Sequence, residues 1–300
     1  MLRIIAVPLF FLSGFSSLIY QVAWQRVLTQ EIAVDAVSVA IVVASFLVGL
    51  GLGARAGGWV TLRLDGQALC RFYGGVELLT AVIGAGTITA LRAVGQVLAN
   101  VETQSLALDT TLSLGVIFVP TFLMGMTTPM VLHMFRRSLA ELGASVGIYY
   151  GANIFGAALG ALLTGFVLIE LFGLSGCGYI AAGLNLFVGL VFYLYGRRSA
   201  DFPDADVSRV AESPPRPDRT RAVLIAVTCI AFGFVTLSFE MILFRLYSHY
   251  LFPEATVFPM MLCAFLMAMG TAQVVGGRLV DLLSSRLAVF AQVVFLVAIV

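Results

Sequence analysis

Charged residues are scarce in this sequence, and lysine is missing altogether. Only 11% of the 300 residues are charged and 60% are hydrophobic, and the mean hydropathy is +1.03. A soluble domain carries roughly 25% charged residues, so one soluble core cannot hide a composition this apolar. The formal net charge is +1, which provides no acidic or basic field for a nucleic-acid partner. The composition excludes a soluble globular class, and the partner it implies is the lipid bilayer.

Residues that ligate metals are also few, with four cysteines and two histidines. The cysteines are Cys70, Cys177, Cys229 and Cys263. They lie far apart in the sequence and form no C-x-x-C pair, which is the spacing typical of zinc and iron–sulfur sites. We therefore interpret them as small apolar residues within helices, and we predict no metal site and no cofactor.

Long apolar runs are what the sequence has in abundance. Several exceed the roughly 18 residues that mark a transmembrane helix. We predict helices near 4–25, 33–54, 72–91, 111–134, 147–170, 174–196, 222–247, 255–276 and 287–300. No A-x-A-like cleavage site follows the first run, so we interpret it as a retained helix. The last run is too short to cross roughly 30 Å of hydrocarbon, and we expect a fragment of a longer product.

The distribution of arginine predicts the orientation of the chain. The N-terminus and the loops after even-numbered helices hold 14 arginines, whereas the other side holds Arg26, Arg92 and Arg245. The positive-inside rule then places the N-terminus in the cytoplasm, which we assign to a bacterial-type inner membrane. The polar, proline-containing stretch 197–221 is typical of a cytoplasmic linker. It divides a first bundle, 1–196, from the start of a second, 222–300.

The sequence aligns with itself without a gap after a shift of 219 positions. The pairs include Gly14-Phe15 with Gly233-Phe234, Tyr20 with Phe239, Gln21 with Glu240, Arg26 with Arg245, Gly51 with Gly270, and Gly57-Gly58 with Gly276-Gly277. A period of six helices preserves orientation, so the repeat is parallel. Two such halves are typical of major facilitator transporters. We predict an all-α integral membrane protein, a polytopic major-facilitator-like bundle of about nine helices with an incomplete second half.

The loop after helix 8 resembles the G-x-L-a-D-r-x-G-r-k loop of major facilitator transporters. It runs from Gly277 through Arg278 and Asp281 to Arg286, and departs from the pattern at Ser284. We interpret Arg278 and Asp281 as an ion pair or as structural groups that cap helices at the cytoplasmic face. A plain charged turn is the alternative interpretation.

Three further strings resemble the membrane domain of fused major-facilitator/spermidine-synthase proteins. They are FLSGFSSLIYQVAWQR (11–26), FLMGMTTP (122–129) and YYGANIFGAALG (149–160). The resemblance implies polyamine or related small-molecule handling and a C-terminal aminopropyltransferase domain. These 300 residues contain no glycine-rich strand-to-helix loop of the kind such a domain needs. Whether the protein is part of an enzyme therefore stays open.

Polar residues within the predicted helices are the candidate site, because unpaired ionisable groups are costly in hydrocarbon. Glu77 and Glu240 could bind a small cationic substrate or a proton, and Gln21 and Asn153 could contribute hydrogen bonds. The alternative is a structural role, with Glu240 paired to Arg245 and Asn153 joining helices. For Arg26 and Arg245 we prefer ion pairing with acids that follow them in the sequence.

Three functions remain open at this point. The first is the membrane domain of a spermidine-synthase-like protein, the second is a secondary transporter of a small cationic substrate, and the third is a non-catalytic membrane subunit of a larger complex.

Overall fold

The computed structural model describes residues 2–32, 35–64, 66–99, 106–135, 142–198, 219–250 and 254–282. Within these ranges the chain is helical and contains no strand. The helices are α1 (Leu2–Ile32), α2 (Asp35–Thr61), α3 (Gly66–Ala99), α4 (Leu106–Phe135), α5 (Leu142–Leu163), α6 (Ile169–Arg198), α7 (Arg219–Tyr250) and α8 (Glu254–Leu282). A short π-helix, Thr164–Leu168, joins α5 to α6. The ninth predicted helix and most of the predicted linker lie outside the described residues.

The helices extend further than their apolar runs. For example, α3 has 34 residues where the sequence predicted 72–91. At 1.5 Å per residue it is about 51 Å long, well beyond the roughly 30 Å of the hydrocarbon core. The predicted bounds were too short because hydropathy marks only the part of a helix that lies in lipid.

A glycine within α6 divides the long apolar stretch that follows residue 147. The apolar helical stretch Gly147–Arg198 has 52 residues, so it is about 78 Å long and must cross a bilayer twice. Gly173 breaks it with φ +67° and ψ 177°, a left-handed conformation that favours glycine. The sequence predicted one helix to end at 170 and the next to begin at 174, and the break at Gly173 lies between these two positions.

The odd-numbered helices α1, α3 and α5 run in the same direction. Along α1 and α3, Ser13 contacts Glu77 and Trp24 contacts Thr87 further on. Along α1 and α5, Gly156 packs on Phe11 and Gly160 packs on Phe15. A side chain at either glycine would overlap the α1 backbone, so the two helices touch through their main chains.

The even-numbered helices α6 and α8 run in the opposite direction. Gly189 of α6 lies against Gly74 of α3, and Gly178 of α6 lies against the later residue Ile88. The same reversal is seen where α8 packs on α5. Gly147 contacts Gln273, and Gly165 contacts the earlier residue Pro259. Helices α1, α3 and α5 therefore run one way and α6 and α8 the other, as in a polytopic membrane bundle.

Helix bounds follow the 219-residue offset found in the sequence. α1 ends at Ile32 and α2 begins at Asp35. The offset moves these positions to 251 and 254, and in the structure α7 ends at Tyr250 and α8 begins at Glu254. The junction between helices 7 and 8 thus lies where the offset predicts it from the junction between helices 1 and 2.

Candidate functional site

A layer of polar side chains interrupts the apolar core of the first six helices. One apolar cluster includes Leu18, Ile88 and Ala181, and a second includes Phe10 and Val188. On α1, α3 and α6, the residues between the two clusters lie at a similar height along the bundle. The buried polar residues there are Ser13, Ser16, Glu77, Thr80 and Asn185. We call these five residues the polar layer.

Glu77 is the ionisable member of the polar layer and is 2% exposed. The Ser13 hydroxyl donates a hydrogen bond to Glu77 Oε1 at 2.8 Å, and the Tyr73 hydroxyl donates to the same oxygen at 3.0 Å. Tyr73 precedes Glu77 by one helical turn, and Ser13 is brought to it by the parallel packing of α1 on α3. The carboxyl group is therefore enclosed by hydroxyl groups from two helices.

Asn185 connects α6 to the same layer. Its Oδ1 lies within hydrogen-bond distance of the Ser16 hydroxyl, which also contacts the Ser13 carbonyl oxygen at 2.8 Å. A serine hydroxyl has one proton and can donate to only one of these oxygens. The Asn185 Nδ2 atom is buried without a partner. Turning the amide over would let Nδ2 donate to Ser16 and Ser16 donate to Ser13.

Two aromatic residues continue the polar contacts of α1 towards its C-terminal end. The Trp24 indole donates to Thr87 Oγ1 at 2.8 Å. Between Trp24 and the polar layer, the hydroxyl group of Tyr20 is buried beside Gly84 and has no hydrogen-bond partner. Buried polar atoms without partners are uncommon in proteins, and this interface has two, at Tyr20 and Asn185.

Gln21 and Glu240 are the predicted site residues whose side chains have no hydrogen-bond partner among the described residues. Gln21 is 4% exposed and Glu240 is 7% exposed. The 219-residue offset makes their positions equivalent, on α1 and α7. Burial without an internal partner leaves both side chains able to bind something that is not part of the chain.

Asn153 occupies a helix contact. Its Nδ2 donates to the Phe10 carbonyl oxygen at 3.0 Å, which fixes α5 against α1. This contact fits the alternative interpretation of Asn153, a hydrogen bond that joins helices.

The charged residues predicted to pair lie away from the polar layer. Arg245 on α7 and Arg278 on α8 are exposed, and the structure shows no ion pair for either of them among the described residues. Arg26 on α1 is partly buried. The side chain of Asp281 lies outside the described part of the chain, so its proposed pairing with Arg278 stays a prediction.

Sequence reasoning missed Ser13, Ser16 and Tyr73 as partners of the predicted residues. Ser13, Ser16 and Tyr20 are three and four residues apart, which places them on one face of α1. Tyr73 and Glu77 are four apart on α3. That spacing was a usable signal for two polar faces, but nothing in the sequence showed that the faces meet.

The described residues contain no group of three or more potential metal ligands. An apolar cleft of about 360 Å³ lies between α2 and α4. Its lining residues are Ala44, Ser45, Val48, Leu114, Gly115 and Phe118, none of them ionisable. The cleft offers nothing that would recognise a cation.

The alternating helices, the repeated bounds of α1–α2 and α7–α8, and the buried polar groups define a polytopic membrane protein of the transporter type. Comparison with protein families agrees, because the model of the Major Facilitator Superfamily matches residues 6–300. The chain belongs to this superfamily. No curated protein matches it.

Proposed function

We propose that this chain acts in the secondary transport of a small cationic substrate. The single observation that carries the proposal is that Gln21 and Glu240, at equivalent positions of the two halves, are both buried without a hydrogen-bond partner among the described residues. In a parallel repeat, equivalent positions are related by an axis along the membrane normal, so both side chains can face a space between the halves.

The charge of Glu240 favours a cation as the substrate. A carboxylate in a membrane interior needs a positive partner or water, and the structure shows no cation near Glu240 among the described residues. Glu77 is less suited to this role, because hydroxyl groups of Ser13 and Tyr73 enclose it between helices.

Polyamines are the cations we propose to test first. The resemblance to membrane domains of spermidine-synthase-like proteins is what supports this choice. We also propose the cytoplasmic side for the N-terminus, on the distribution of arginine, and a bacterial-type inner membrane as the location.

The proposal is tested by uptake of labelled putrescine into proteoliposomes that contain the full chain. Glu240→Gln should lower uptake at least about tenfold, which corresponds to roughly 1.4 kcal/mol of lost cation binding. The matched control is Glu31→Gln, which changes an exposed glutamate on α1 and should leave uptake unchanged.

A double variant tests whether the carboxylate can act from either half. Adding Gln21→Glu to the Glu240→Gln variant moves the carboxylate to the equivalent position of the other half, and uptake should recover. Equal loss in the Glu31 and Glu240 variants, or no putrescine uptake by the unmodified chain, would contradict the proposal. Stable co-purification with fixed partners and no uptake would instead favour a membrane subunit of a larger complex.

A further inference from the structure

The internal repeat places apolar residues at the positions that form the polar face of the first helix. The offset of 219 pairs Ser13 with Phe232, Ser16 with Val235 and Tyr20 with Phe239. The same helix is therefore built in the second half with apolar residues at these three positions. The polar face of α1 is therefore a feature of the first half alone.

The polar layer surrounds Glu77 with neutral groups. The ionisable side chains that face it are Tyr73 from its own helix and Tyr20 from α1. The side chain that α6 contributes to this level is Asn185, which does not ionise. An ionised carboxylate buried in hydrocarbon without a cation is strongly unfavourable, and such a group takes up a proton instead.

We propose that Glu77 is a proton-binding site, separate from the position of Glu240. Glu77 holds its proton while α1 is packed on α3 and α6. Both hydroxyl groups donate to Oε1, which leaves Oε2 as the atom that carries the proton. When the proton leaves for water, Oε2 becomes part of a carboxylate, and Ser13 and Tyr73 still donate to Oε1.

Release of the proton needs contact with water, and the polar layer provides groups that can bind it. One amide atom of Asn185, whichever way the amide is turned, and the Tyr20 hydroxyl are buried without protein partners, at the contacts of α1 with α6 and with α3. Separation of α1 from α3 and α6 would expose both groups together with Glu77. Protonation of Glu77 and packing of α1 are therefore coupled, whatever substrate the protein carries.

The proton can be observed directly by infrared spectroscopy of the full chain in lipid, without any substrate. Carbon-13 labelling of the glutamate carboxyl groups identifies the C=O stretch of protonated glutamate. At neutral pH the unmodified chain should show such a band, and Glu77→Gln should remove it. Glu240→Gln is the matched control, a second buried glutamate whose loss should leave the Glu77 component in place.

Two milder variants give the same answer if Glu77→Gln does not fold. Tyr73→Phe and Ser13→Ala each remove one hydrogen bond to Oε1, so each should shift the band to higher frequency. The proposal is wrong if Glu77→Gln leaves every protonated band intact, or if neither milder variant moves the band. It is also wrong if sodium at about 0.1 M abolishes the band, because Glu77 would then bind a metal cation.

Discussion

At the scale of single residues, two buried tyrosines show how much a hydrogen-bond partner matters inside the bundle. Tyr73 and Tyr20 are both fully buried. The Tyr73 hydroxyl donates to Glu77, whereas the Tyr20 hydroxyl has no partner. A buried polar group without a partner keeps its desolvation cost and gains nothing in return, so the same chemical change should have different effects at the two positions.

We expect Tyr73→Phe to lower the free energy of unfolding by about 1 kcal/mol, because it removes a hydrogen bond. Tyr20→Phe should leave the stability unchanged or raise it, and the equivalent position of the second half already holds Phe239. Thermal unfolding of the two variants in detergent, side by side, measures the difference. A larger loss for Tyr20→Phe would show that its hydroxyl has a partner in solution.

The sequence placed Glu77 and Gln21 within long helices, since hydropathy and helical spacing are local properties, and the structure buries both side chains. It did not predict that Glu77 is enclosed, because the enclosing Ser13 lies 64 residues away. Such a contact depends on which helix faces pack together, and apolar helices with little periodic polarity do not specify their faces.

At the scale of helices, main-chain contacts at glycine hold the bundle together. Without a hydrophobic driving force between helices in lipid, association depends on close packing. Gly14, Gly156 and Gly160 let α1 and α5 approach until their backbones touch, and Gly53 and Gly57 do the same for α2 and α4. These stripes of small residues are therefore positions where volume, and not polarity, is restricted.

Gly156→Ala should destabilise the protein by about 2 kcal/mol, the cost of forcing extra volume into a packed interface. Its Cβ would overlap the backbone of Phe11, so the two helices would have to separate. The control is Gly86→Ala on α3, where a Cβ meets open space. That variant should be neutral or stabilising by up to about 1 kcal/mol, because alanine favours the helix. Equal thermal midpoints for the two variants would contradict the packing argument.

At the scale of the whole molecule, the fold was more predictable than the site. The helix number within the described residues, the break at Gly173 and the repeat of α1–α2 in α7–α8 all follow from long apolar runs, a glycine and a fixed offset. Each of these signals can be read directly from the order of residues in the sequence. The polar layer is a product of three helices, α1, α3 and α6, and only their mutual packing brings it together.

Orientation in the membrane is the property of the whole chain that the arginine distribution predicts. The alternating helices place Leu171 and Leu62 at opposite ends of the bundle. Leu171 lies near the turn at Gly173 and is 69% exposed, and Leu62 follows α2 and is 83% exposed. With the N-terminus in the cytoplasm, Leu171→Cys should react in intact cells with a maleimide that cannot cross the membrane. Leu62→Cys should react only after the cells are opened, because it lies beside the arginine-rich loop.

Both reactions are measured in a background without native cysteines, and labelling of Leu62→Cys alone from outside would mean that the chain is inserted the other way round. If both positions reacted from outside, α3, α4 and α5 would not make three crossings between them, and the alternating arrangement itself would be wrong.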